Sequence, residues 1–129
     1  MDTALLELVV EDEALIQDWV ETALLEAGFQ VAKATSAEEA ITLLEKDGSE
    51  YRALVTDINL APGKLMGWDA ARRGGELTPE FPVVYMTGES EHQWASEGVP
   101  NSVMIAKPFA PVQIVTAVSN LLNAAASKP

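Results

Sequence analysis

Short apolar runs alternate along this chain with segments whose apolar residues recur at helical spacing. An apolar run that ends at polar residues indicates a strand covered on both faces of a sheet. The first run is interrupted only by Glu7, and polar or small residues follow each of the five. The five predicted strands cover residues 5–10, 29–34, 53–56, 82–86 and 103–106.

Between the first two runs, Ile16, Val20 and Leu24 recur at the spacing of one helix face, and Gly28 follows where a left-handed C-cap residue is expected. After the second run, Ser36 and Glu39 have the spacing of a capping box, so Ser36 is predicted to begin a second helix. The pattern therefore predicts a helix after each of the first two strands.

The signals for the remaining helices differ in strength. A helix over about 68–73 is expected to be short because Gly74 and Gly75 follow it. A polar segment at 89–97 is predicted to be the fourth helix. The last helix has a clear apolar face and tolerates Pro111 in its first turn. Residues 125–129 are expected to form a frayed tail.

Strand and helix signals alternate five times, with connections mostly of a few residues. This alternation predicts an α/β fold with a parallel sheet and helices on both faces. The length of 129 residues matches a single domain spanning 1–129, without a repeat or a linker. In open sheets of this kind, ligands bind beyond the carboxyl ends of the strands, near a switch in strand order.

The charge and amino-acid composition exclude several classes of function. Twenty acidic residues against eight basic ones give a net charge of -12, which should repel nucleic acid and anionic membranes. The absence of cysteine excludes disulfides, thiolate zinc sites and thiol nucleophiles. No apolar run approaches the length of about 20 residues that spans a bilayer. A cytoplasmic protein is the expectation.

Charged and hydroxyl residues follow four of the predicted strands, where they would face one crevice. Glu11 and Asp12 follow the first, and Asp57 follows the apolar residues of the third. Three carboxylates brought together repel one another, so a hard divalent cation, best Mg²⁺, is the expected occupant. A metal-held Asp57 could attack phosphorus and become an acyl phosphate. Thr87 and Lys107 could bind the phosphoryl oxygens.

The order Glu11-Asp12, Asp57, Thr87 and Lys107-Pro108-Phe109 resembles the receiver domain of two-component response regulators, in particular single-domain, chemotaxis-regulator-like receivers. The resemblance covers essentially the whole chain. It implies a five-stranded, parallel, doubly wound flavodoxin-like sandwich, a Mg²⁺ requirement, and phosphate transfer from a sensor histidine kinase or histidine phosphotransfer protein. The implied roles are Asp57 as phosphoacceptor, Asp12 and Asp57 as Mg²⁺ ligands, Glu11 acting mainly through metal-bound water, the Asn59 backbone carbonyl as a further ligand, and Thr87 and Lys107 as phosphoryl-binding residues.

Other positions either match further residues of the receiver family or differ from its usual residues. Asn59 and Glu89 match positions that tune hydrolysis of the acyl phosphate. Met104 stands at the switch position, where the family usually has an aromatic residue whose rotation transmits phosphorylation to the surface. Gly88 replaces the usual alanine, and the loop over 57–67 is longer than usual.

The expected function is therefore a two-component response regulator, whose protein-interaction surface changes when Asp57 is phosphorylated and which meets an unidentified downstream protein. Its only chemistry would be self-phosphorylation and autodephosphorylation, so it is not expected to be an enzyme. Two alternatives remain. One is a receiver-like interaction module that signals by binding alone. The other is an aspartate-nucleophile phosphatase, although Asn59 stands where such enzymes carry their second aspartate.

Overall fold

The computed structural model describes residues 5–60, 63–88 and 98–126. Its strands are β1 Leu6–Val10, β2 Gln30–Ala34, β3 Tyr51–Asp57, β4 Val83–Thr87 and β5 Ser102–Ala106. Its α-helices are α1 Ala14–Glu26, α2 Ala37–Asp47, α3 Gly67–Leu77 and α4 Pro111–Ala126, and a 3₁₀ turn, Gly48–Glu50, joins α2 to β3. The predicted helix at 89–97 lies outside the described residues.

All five strands are parallel, in the order β2-β1-β3-β4-β5. Consecutive strands β2 and β3 lie on opposite sides of β1, so the strand order reverses next to β1. This order is that of the doubly wound flavodoxin-like fold, and the expected fold class is confirmed. The reversal places the ends of β1 and β3 side by side at the edge where ligands of such sheets bind.

The sheet separates two apolar cores. Leu8 and Val10 of β1 point into the core under α2 and α3, while Val9 points into the core under α1 and α4. Both faces of the central strands are therefore removed from water, which is why these strands appear in the sequence as nearly continuous apolar runs rather than alternating ones.

The helix termini largely follow the predicted signals. Gly28 has a φ of 98°, the left-handed conformation expected after α1. The Ser36 side chain accepts a hydrogen bond from the Glu39 amide at 3.1 Å and begins α2 as predicted. The return bond differs, because the Glu39 carboxylate accepts the amide proton of Thr35 at 2.8 Å instead of that of Ser36. The same oxygen also accepts the Thr35 hydroxyl, so both Thr35 donors are satisfied by one side chain.

The prediction that Gly74 and Gly75 shorten the third helix is wrong. Helix α3 runs through both glycines to Leu77. Gly74 packs directly on the buried ring of Phe81, and a Cβ at this position would lie 2.6 Å from Cδ2 of that ring. Close packing of α3 on Phe81 therefore outweighs the low helix propensity of glycine. Helix α4 also continues to Ala126, two residues into the segment predicted to fray.

Gly74 and Gly75 of α3 should respond oppositely to alanine. Gly74→Ala is expected to lower the free energy of unfolding by about 1–3 kcal/mol, because the new methyl group overlaps the Phe81 ring. Gly75→Ala is the matched control: nothing lies within 4 Å of its Cβ position, and higher helix propensity should stabilise by about 0.5–1 kcal/mol. Urea unfolding measures both values. Equal effects of the two substitutions would contradict this account of α3.

Glu7 is a fully buried carboxyl group far from the carboxyl edge of the sheet. It lies in register with Val31 and Ala53, which belong to the core under α1 and α4. Neither carboxyl oxygen has a hydrogen-bond partner among the described residues. Burial raises the pKa of Glu7 to about 8, and the attraction of Arg52 offsets this only in part. Glu7 is therefore mostly protonated in the folded protein at neutral pH.

Glu7 should make the protein less stable as pH rises. Between its unfolded pKa of 4.5 and its folded pKa of about 8, only the unfolded chain releases the proton. The stability advantage of Glu7→Gln over wild type should grow across this window, by up to about 1.4 kcal/mol per pH unit. Urea unfolding at several pH values tests this. Because Glu11 is unchanged in the variant, a constant difference across the window would show that Glu7 is not the titrating group.

Candidate functional site

The carboxyl edge of the sheet collects the polar residues that follow the strands. Glu11 and Asp12 come directly after β1, Asp57 is the last residue of β3, and Lys107 follows β5. One carboxylate oxygen from each of Glu11, Asp12 and Asp57 lies within 4.8 Å of the others. Glu11 and Asp57 are buried, whereas Asp12 is exposed. Because β1 and β3 are neighbours in the sheet, three carboxylates from two separate segments lie close together.

Lys107 supplies the positive charge of this cluster. Its Nζ lies 3.0 Å from Oδ2 of Asp57 and 3.2 Å from Oε1 of Glu11, with Glu13 farther away at 3.9 Å. The Lys107 amide donates to the Thr87 carbonyl at 2.7 Å, which holds the start of the β5–α4 connection against the end of β4. One ammonium group therefore bridges the carboxylates that end β1 and β3.

The electrostatics of the cluster leave it short of positive charge. Burial, followed by the charge of Asp57, raises the pKa of Glu11 to about 8. Burial also raises the pKa of Asp57, although the hydrogen bond and charge of Lys107 oppose this rise. Burial alone would lower the pKa of Lys107, but its bond to Asp57 and the nearby charges outweigh burial and raise it. Glu11 and Asp57 thus share the ammonium group of Lys107, and the Asp12 carboxylate lies within 4.8 Å of both.

This donor set fits a hard divalent cation. Mg²⁺ prefers carboxylate and carbonyl oxygens and retains several waters, so an exposed Asp12 beside a buried Asp57 suits it. A cation would also lower the pKa values that burial has raised, because it stabilises the ionised carboxylates. Glu11, Asp12 and Asp57 therefore form a candidate Mg²⁺ site.

The side chain of Gln17 supports the turn that carries Glu11 and Asp12. Its Nε2 donates to the Ala34 carbonyl at 2.9 Å and to the Glu11 carbonyl at 3.3 Å. The Glu11 amide donates to the same Ala34 carbonyl at 3.1 Å. Sequence reasoning missed Gln17. The available signal was an amide side chain on the same helix face as Val20 and Leu24, where an apolar residue is expected.

The other predicted positions lie at varying depth. Thr87 is fully buried at the end of β4, and the next residue, Gly88, is exposed. Asn59 is exposed two residues beyond Asp57. Met104, in the middle of β5, is partly buried against the core under α2 and α3. Glu89 lies outside the described residues.

A family model for the response regulator receiver domain matches residues 8–119. This chain belongs to that family. Receiver domains act in two-component phosphorelay signalling and use Mg²⁺ in the site that is phosphorylated, with sensor histidine kinases or phosphotransfer proteins as donors. They are generally signal transducers rather than enzymes. The acidic cluster of this chain fits that Mg²⁺ site.

Similar proteins agree with this assignment. A response regulator receiver protein from Sinorhizobium medicae WSM419 is 40% identical, with a TM-score of 0.88 over 94% of this chain and 96% of that protein. A second similar structure is the receiver domain of the sensor histidine kinase PA1611 from Pseudomonas aeruginosa PAO1, which has a magnesium ion in its active-site cleft. It is 21% identical, with a TM-score of 0.79 over 94% of this chain and 99% of that domain. At this identity it supports the fold alone.

The response regulator SaeR of Staphylococcus aureus is 28% identical over 118 residues. The match covers 90% of this chain and 50% of SaeR, so the chain spans about half the length of that relative. None of the helices in the described ranges combines the length and apolar character that crossing a membrane requires.

Removing the Gln17 hydrogen bonds should loosen the turn after β1. Gln17→Met keeps a similar shape but leaves the Glu11 carbonyl without this donor, so the free energy of unfolding is expected to fall by about 1–3 kcal/mol. Gln30→Met replaces an exposed glutamine and should change stability by less than about 0.5 kcal/mol. Urea unfolding compares the two. An unchanged stability of Gln17→Met would show that the bridge contributes nothing.

Proposed function

We propose that this protein is a phosphorylation-dependent signalling switch in which Asp57 accepts phosphate from a sensor histidine kinase or a histidine phosphotransfer protein. The observation that carries the proposal is the position of the Asp57 carboxylate, buried beside Glu11 and Asp12 and 3.0 Å from Lys107. A nucleophile at such a site needs an incoming phosphoryl group to be oriented and its charge to be offset. The surrounding residues can perform both tasks.

In the proposed transfer, a carboxylate oxygen of Asp57 attacks phosphorus in line while the bond from phosphorus to the donor histidine nitrogen breaks. The histidine imidazole leaves and Asp57 becomes an acyl phosphate. Glu11, Asp12, Asp57 and the Asn59 backbone carbonyl would hold Mg²⁺, with Glu11 acting mainly through a bound water. When bound, Mg²⁺ would offset the charge on the phosphoryl oxygens.

Lys107 and Thr87 are the proposed phosphoryl-binding residues. The Lys107 ammonium group already contacts Asp57, so it can pair with a phosphoryl oxygen that becomes attached there. The Thr87 hydroxyl ends the neighbouring strand and would donate to another oxygen. Movement of Lys107 and Thr87 toward the phosphoryl group would carry the change into β4 and the start of α4.

The signal is proposed to be reversible by hydrolysis of the acyl phosphate. Asn59 is exposed beyond Asp57, where it can affect the approach of water, and Glu89 is proposed to share this role. Met104 is the proposed switch position. Its flexible thioether side chain can repack in an irregular space without the two rotamers of an aromatic ring.

The proposed partners are proteins. The modified surface would be offered to a downstream protein in the cytoplasm, and a net charge of -12 disfavours direct contact with nucleic acid or anionic membranes. We propose that residues 1–129 act as a single receiver domain and that turnover is limited to self-phosphorylation and dephosphorylation.

Removing the acceptor carboxylate should abolish modification. With Mg²⁺ and acetyl phosphate or phosphoramidate, wild type should gain the mass of one phosphoryl group, and Asp57→Asn should gain none because an amide cannot form the acyl phosphate. Asp18→Asn, which removes an exposed carboxylate of α1, should be modified like wild type. Intact-mass spectrometry measures all three.

Other outcomes separate the alternatives. Equal phosphate on wild type and Asp57→Asn would refute the acceptor assignment. Absence of both Mg²⁺ binding and phosphate uptake in wild type would favour an interaction module that signals by binding alone. Multiple turnover of a phosphate monoester would favour a phosphatase.

A further inference from the structure

We propose that Glu38 of α2 is a positioning residue of the metal site: it holds the loop between β3 and α3 so that the backbone after Asp57 stays in the arrangement that binds Mg²⁺. The proposal rests on the proposed function and assigns a role to a residue that lies outside the acidic cluster. Glu38 is not among the described residues that could hold the metal ion, so its effect would pass through the loop.

Glu38 binds the loop through its carboxylate. Oε2 accepts the amide protons of Lys64 at 2.9 Å and Leu65 at 3.2 Å, across more than twenty residues of chain. These are hydrogen bonds to an ionised group, which are shorter and stronger than bonds between neutral groups. The amide of Glu38 itself, followed by those of Lys64 and Leu65, lowers the pKa of the carboxyl group. The docked loop therefore favours the ionised form of the Glu38 carboxylate.

The position of Glu38 favours that ionised state. Glu38 lies in the first turn of α2, directly after Ser36 and Ala37, where the helix dipole stabilises negative charge. Its other oxygen, Oε1, is buried without a hydrogen-bond partner among the described residues and faces Gly63. A Cβ at Gly63 would collide with Oε1, so the loop approaches the carboxylate as closely as glycine permits.

The far end of the same loop is fixed to the backbone of the candidate site. The Gly67 amide donates to the Ile58 carbonyl at 2.8 Å. A Cβ at Gly67 would collide with the carbonyl oxygen of Asp57, so Gly67 packs directly on the peptide unit of the proposed acceptor. The segment 64–67 therefore joins Glu38 to the carbonyl groups of Asp57 and Ile58, and Asn59 is the next residue in the chain.

The end of β2 also supports the other ligand-bearing segment. The Ala34 carbonyl, at the end of β2, accepts the Glu11 amide at 3.1 Å. Ala34 and Glu38 are only four residues apart in the chain. Ala34 holds the segment that carries Glu11, and Glu38 holds the loop that follows Asp57. Supporting residues of this kind orient metal ligands, and their loss commonly weakens metal affinity by about tenfold or more.

The test compares Glu38→Ala with Glu39→Ala. Both variants remove one carboxylate from the first turn of α2 that accepts a backbone amide proton, but Glu38 is hydrogen-bonded to the loop whereas Glu39 is hydrogen-bonded to Thr35. In Glu38→Ala, hydrogen exchange at the Lys64 and Leu65 amides of the metal-free protein should accelerate by about tenfold, and the Kd for Mg²⁺ should rise by about tenfold. Glu39→Ala should leave both at wild-type values.

Amide exchange is read by NMR, and Mg²⁺ affinity by titrating MgCl2 while following the amide signals of Asp57 and Asn59. Glu38→Gln keeps an oxygen that can accept both amide protons, and recovery of most of the lost protection and affinity supports the role of Glu38 as a hydrogen-bond acceptor. Faster exchange without weaker Mg²⁺ binding would overturn the positioning role, as would equal changes in Glu39→Ala.

Failure of the proposed function gives a different result. If the wild-type protein binds no Mg²⁺, the signalling mechanism fails. The positioning role is then also overturned for Mg²⁺, whereas the exchange data still show whether Glu38 holds the loop.

Discussion

The contact among Lys107, Asp57 and Glu11 is the interaction on which the carboxyl edge of the sheet depends. Two buried carboxylates lie close enough to repel each other, and a single ammonium group offsets part of that repulsion at 3.0 and 3.2 Å. Desolvation of charge is expensive unless a partner compensates for it. The partial compensation leaves a site that favours a divalent cation.

Such a cluster is useful only if its members are held in place by neighbouring groups. The turn after β1 is held through Gln17 and the Ala34 carbonyl, and the backbone after β3 is held through Gly67. These contacts involve backbone groups and the uncharged side chain of Gln17, so they add no further charge to the cluster. A bound cation would thus meet ligands that are already oriented.

Glu7 shows what the same sheet does with a carboxyl group that lacks a partner. It has no hydrogen-bonding partner among the described residues, and burial raises its pKa to about 8, as burial and Asp57 together do for Glu11. Glu7 lies near the opposite end of β1 from the cluster and is not among the described carboxylates that could hold a metal ion. Burial raises the pKa of both Glu7 and Glu11, but only Glu11 lies beside Asp12, Asp57 and Lys107. A raised pKa by itself therefore does not identify the functional site.

The sequence by itself determined the alternation of strands and helices, the parallel sheet and the residues that follow each strand, because short-range periodicity and burial on both faces leave a direct signal in the order of residues. The tertiary structure alone decided which contacts support those residues. The passage of α3 through Gly74 depends on the ring of Phe81, and the supporting roles of Gln17 and Glu38 depend on carbonyl and amide groups of distant segments. Contacts of this kind join residues far apart in the chain, and only packing brings them together.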